Sequence, residues 1–159
     1  MTLQNAFGSN FSKDAIRTRS FDFGGHTFKV KVPLTLETEA MFERIKKIDD
    51  DLAYKFYSDM AKEFFDNKEK YTTDPDIEFK TDDIMVKGYS LRETARNKVM
   101  TQNRVIEMFK LLVPENKDFD MSTISYADIE ELFPFTVQLE LVEEISKVIS
   151  PNYSAARGK

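Results

Sequence analysis

The chain contains no cysteine and no tryptophan, a single histidine, and only five glycines and five prolines in 159 residues. Without cysteine there are no disulfides, thiolate metal ligands or cysteine nucleophiles. With His26 as the only imidazole, no paired-histidine metal site forms, and a nucleophilic triad would have to be built beside a turn. A structural role for His26, paired across strands with Phe23, accounts for it. No glycine-rich loop leads into a helix, so nothing cradles a phosphate. Asp49, Asp50 and Asp51, with Asp82 and Asp83, lack the alternating spacing and turn glycine of a calcium loop and read as helix caps or solvated charge. No apolar run has the length of a membrane span or a signal-peptide core, and the opening MTLQNAFGSNFSKDAIRTRS is polar and mixed. The expectation is a soluble protein that stays in the cell that makes it, with no membrane partner. This inventory supplies no cofactor site, no metal site and no catalytic residue, and an enzyme is not expected.

An excess of positive charge is also missing. Lysine and arginine number 23 against 28 acidic residues, giving a net charge of −5 and a pI near 5.0. Arg92, Arg96, Lys98, Arg104 and Lys110 are spread around one helix with no interleaved aromatic row, so no nucleic-acid partner is expected. The charge is nevertheless arranged in blocks. Residues 84–117 carry seven basic and three acidic side chains, whereas 118–149 carry one basic and eight acidic. Such alternation lets basic segments lie against acidic ones, within one molecule or between copies.

Apolar and aromatic residues, in contrast, are plentiful at 41% and 13%, enough for a folded domain with its own core. FDFGGHTFKVKVP, residues 21–33, alternates like two strands joined by Gly24-Gly25. A two-residue loop there sets Phe23 opposite His26, Phe21 opposite Phe28 and Arg19 opposite Val30, leaving one apolar face. Thr35 is placed to cap a helix beginning at Leu36. Met41, Ile45, Ile48, Leu52, Phe56, Met60 and Phe64 then recur at helical spacing, predicting one helix over 36–66 or two nearly collinear ones broken at Asp49–Asp51. Residues 67–81 read as a loop with a short extended piece at 77–80, and 84–86 as another extended piece. Ser90 and Glu93 form a capping-box pattern ahead of a helix over 91–113, ended by Pro114. Ser125 caps a short helix over 126–133, and a last helix follows over 135–149. The predicted class is mainly α (α+β), an N-terminal hairpin packed on four to five helices. The predicted organisation is a flexible arm at 1–19, one domain at 20–150 and a flexible tail at 151–159.

Two features point to protein contacts rather than chemistry. The Phe133-Pro134-Phe135 hinge precedes a helix apolar on a wide face, so Phe133, Phe135 and Leu139 are candidates for partner binding. A hairpin is unstable alone in water, so Phe21, Phe23 and Phe28 are candidates for packing between subunits.

The N-terminal FDFGGHTFKVKVPLTLETEAMFERI, the helical middle and the C-terminal FPFTVQLELVEEISKVISPNY together resemble the tail assembly chaperones of long-tailed bacteriophages, over roughly residues 20–153. The resemblance implies a small helical protein of the host cytoplasm, absent from the mature virion. It would self-associate, bind and solubilise the tape measure protein, and recruit tail tube subunits. It also implies a ribosomal frameshift near the end of the shorter product, for which Gly158-Lys159 is what a slippery run of G and A codons would encode. The alternative is a virion structural component, such as a tail completion or connector protein.

Overall fold

A computed structural model of the chain describes residues 1–151; of the expected tail at 151–159, all but Pro151 lies outside the described residues. The protein is α+β and mainly helical, with two small antiparallel sheets. It divides into two compact units. Unit 1 is assembled from residues 1–42 and from the chain after 104, and unit 2 is residues 43–104 between them.

Unit 1 opens with two short helical segments, α1 (Leu3–Ala6) and α2 (Lys13–Arg17), capped by the Thr2 and Ser12 hydroxyls. The hairpin follows as β1 (Thr18–Phe23) and β2 (His26–Lys31) in the expected register, Phe23 opposite His26 and Phe21 opposite Phe28. Gly24 and Gly25 both have positive φ, +59° and +78°, the left-handed pair that a two-residue turn needs to match strand twist. The hairpin does not stand as two strands. β6 (Leu112–Val113) pairs with β2, Val30 opposite Leu112, giving a three-stranded sheet in the order β1-β2-β6. The helix expected to run to residue 113 therefore stops early: α6 (Leu91–Phe109) ends, and Lys31 N–H donates to the Leu111 carbonyl at 2.9 Å. Pairing with β2 satisfies those backbone groups as well as another helical turn would.

The apolar face of this sheet is covered by α8 (Phe135–Ile149), which packs against β1 and β2. Leu141, Val142, Ile145 and Val148 are buried along α8, as are Phe21 and Val30 on the strands. α7 (Tyr126–Leu132) precedes α8 and begins with a complete Ser125–Asp128 capping box.

In the middle of the chain the periodic stretch is broken as one alternative anticipated. α3 (Thr35–Lys46) and α4 (Asp50–Asp66) are separate, and the Asp49 carboxylate caps α4 by accepting from the N–H groups of Asp51 and Leu52. After the short α5 (Lys68–Thr72), unit 2 forms its own sheet from β3 (Ile77–Phe79), β4 (Ile84–Val86) and β5 (Tyr89–Ser90). Its core joins Tyr57, Ala61, Ile84, Leu91 and Ala95, flanked by Phe56, Met60 and Phe64. The buried seam of α4 is thus Ala53, Tyr57 and Ala61, one position round from the predicted stripe, whose large residues form its half-buried shoulders.

Asp83 fastens this sheet to α6. Its Oδ1 accepts from Ile84 N–H at 2.8 Å and Arg92 N–H at 3.0 Å, and its Oδ2 accepts from the Ser90 hydroxyl. The Ser90 oxygen in turn accepts from Glu93 N–H at 3.1 Å, as a helix cap. Burial pushes the Asp83 carboxyl up, but these hydrogen bonds and the Arg92 charge outweigh it and hold the pKa below the usual carboxylate range.

Candidate docking surface on the α7–α8 elbow

α7 and α8 are joined by a bend at Phe133-Pro134, and its geometry follows from three residues. Proline at 134 has no N–H to give to α7 and restrains the residue before it, so Phe133 adopts an extended backbone and α7 ends. Pro134 then leads into α8, its carbonyl accepting from Gln138 N–H at 2.9 Å. The Gln138 side chain, with none of its surface exposed, closes the bend. Its Nε2 donates to the Phe133 carbonyl and its Oε1 accepts from the Tyr126 hydroxyl, both at 2.8 Å. One amide thereby satisfies the carbonyl freed by the bend and ties it to the first turn of α7. Burial raises the Tyr126 pKa above the ordinary phenol value, with the Glu130 charge adding to this and the hydrogen bond to Gln138 opposing it.

The braced elbow holds apolar side chains in solvent. Leu132 is 74% exposed, Phe135 52% and Leu139 43%. Phe135 and Leu139 lie one turn apart on α8, and Leu132 is exposed at the end of α7. Glu130 and Glu131 on α7 and Glu140 and Glu143 on α8, near them in the chain, are exposed as well. Of the three residues singled out for partner binding, Phe135 and Leu139 are thus on the surface together. Phe133 turns inward, half-buried, with its ring edge-on to Phe109 at 5.6 Å. Leu132 and the bracing Gln138 escaped the sequence reading. Leu132 follows three acidic or apolar helix formers without distinction, and a glutamine carries no sign of burial until its partners are known.

The hairpin residues divide differently. Phe21 is 7% exposed and stacked on Phe28 at 5.4 Å, so its ring belongs to the core of unit 1. Phe23 and Phe28 are half-buried. The His26 ring meets Phe28 edge-on at 4.6 Å, and its Nε2 lies 3.8 Å from Glu115 Oε1. Beside them is an open groove of about 430 Å³, floored by Phe28, Leu112, Val113 and Met121 and bordered by Lys29 and Lys117.

Among the described residues there is no cluster of three or more acidic or histidine side chains able to hold a metal ion. No helix there is long and apolar enough to cross a membrane. Comparison of the chain with protein-family models, curated proteins and solved structures gave no match.

Proposed function

We propose that this protein is a non-enzymatic tail assembly chaperone of a long-tailed bacteriophage, acting in the host cytoplasm. In this role it holds the tape measure protein in solution, recruits tail tube subunits and does not remain in the virion. The proposal starts from the resemblance of its terminal segments to that family, and the observation that carries it is the elbow. Large apolar side chains held in solvent beside a satisfied hydrogen-bond brace, with exposed acidic residues next to them in the chain, suit the capture of an apolar helix. A chaperone for a long helical client needs modest affinity repeated over many copies rather than a pocket. These acidic residues discourage association with the wrong surfaces until a client displaces water from the apolar side chains.

The test is multi-angle light scattering of the purified protein, alone and co-expressed with the tape measure protein of the same genome. Several copies co-eluting with a soluble tape measure is the expected result. A tape measure that stays insoluble, or the protein found in purified particles, overturns the proposal and favours a tail completion or connector protein. A Phe135→Asp variant that folds yet binds both tail proteins normally removes the elbow from the contact.

A further inference from the structure

Unit 1 carries two surfaces of matching chemistry, and the chain does not bring them together on itself. The first is the elbow: Leu132, Phe135 and Leu139, with Glu130, Glu131 and Glu140 near them in the chain. The second is the groove at the β2–β6 end of the sheet, with its apolar floor and the lysines at its border. Its volume lies within the range that accepts a few buried apolar side chains.

The charges of the two surfaces are complementary. Among the described residues, neither Lys29 nor Lys117 has an ion-pair partner, and neither do Glu130, Glu131 and Glu140. The one acidic residue lining the groove, Glu115, faces His26. Lys117 closes the basic block of residues 84–117, and Glu130, Glu131 and Glu140 belong to the acidic block of 118–149, so the two surfaces are of opposite sign.

We infer that the groove of one copy receives the acidic, apolar elbow of a second copy. The elbow side chains are exposed in the same molecule whose groove stands open, so the two can meet only between molecules. An interface of this kind joins two different patches, which leaves a free groove at one end of any dimer and a free elbow at the other. Association then continues beyond two copies, into a closed ring or an open chain according to the rotation between neighbours. One elbow cannot hold a client and a neighbour's groove at once, so this concerns copies of the chain without client and stands whether or not the tape measure is the client. It gives Phe28 of the hairpin a place in subunit contact, through the groove rather than through the buried Phe21.

Sedimentation velocity of the full chain tests this with two variants. Phe135→Asp spoils the elbow and keeps the groove; Lys29→Glu with Lys117→Glu spoils the groove and keeps the elbow. The wild type should sediment above the monomer and grow with concentration. Salt at about 1 M, where electrostatic reach falls to about 3 Å, should weaken it several-fold. Each variant alone should be monomeric, with association weakened at least about tenfold. Mixed in equal amounts, they should form a dimer of one chain of each kind and stop there, because only one intact elbow and one intact groove remain. A mixture that stays monomeric, single variants that keep the wild-type mass, or a monomeric wild type each overturn the inference. Thermal melting checks that the variants are folded; Leu139→Lys replaces Phe135→Asp should the latter melt early. The groove variant should still bind the tape measure, so loss of self-association and loss of client binding are separable.

Discussion

Arg19, on the first strand, donates from Nη1 to the carbonyl of Val148 at 2.7 Å and to that of Ser150 at 3.2 Å, fastening the start of the sheet to the end of α8. A cation placed on the last carbonyls of a helix satisfies acceptors that have no partner within it and opposes the negative end of its dipole. Replacing Arg19 by alanine should cost about 2 kcal/mol, read from the urea midpoint, with lysine restoring part of it. An unchanged midpoint would mean that water satisfies those carbonyls equally well.

Gln138 should be among the least replaceable polar residues of unit 1. Gln138→Leu keeps the volume but strands the Phe133 carbonyl and the Tyr126 hydroxyl, an expected loss of about 2–3 kcal/mol. Tyr126→Phe should cost less. The double variant should fall short of the sum, since both changes break the same bond. Strict additivity in that cycle would show that the brace is not shared.

Phe21 and Phe135 carry the same side chain, yet truncation should separate them widely. Phe21→Ala opens a cavity under α8 and should destabilise by about 3–4 kcal/mol. Phe135→Ala should change stability by no more than about 0.5 kcal/mol while weakening association. Denaturant melts of the two variants side by side decide the matter; equal losses would place both in the core.

Acid sensitivity should centre on Asp83. Its folded pKa is lowered below the unfolded value, so its stabilising contribution is complete above about pH 4 and is lost as the pH falls through the folded value. Asp83→Asn should lower stability at neutral pH by about 1–2 kcal/mol and flatten the decline below pH 4. Unfolding free energy measured against pH in both proteins tests this, and parallel acid limbs would assign the sensitivity to another carboxylate.

What could be read from the sequence was what depends on neighbours in the chain. The hairpin register followed from Gly24-Gly25 and alternation, and the caps at Asp49, Ser90 and Ser125 each announced a helix start. What could not be read depends on distant pairing. Leu112 continues the apolar period of α6, and only β2, far back in the chain, turns it into a strand. β5 was hidden because Lys87, at φ +51°, takes a turn position more often held by glycine or asparagine, with Gly88 beside it. The apolar content of the Phe133–Leu139 stretch was plain, but which of its side chains face water was decided by Gln138 and Phe109.

The β2–β6 pairing also sets an order of events while the chain is being made. The strand that completes the first sheet lies about eighty residues after the hairpin, and the whole of unit 2 is synthesised in between. At ribosomal speeds that interval is roughly 4–16 s. Unit 2, a compact unit of consecutive residues 43–104, can fold as it emerges. The hairpin, with Phe21 and Val30 still uncovered, must wait for residues 112–113 and then for α8. The hairpin, made early, is therefore among the last elements to be secured, and a nascent chain cut short before residue 112 would leave it with nothing to close over it.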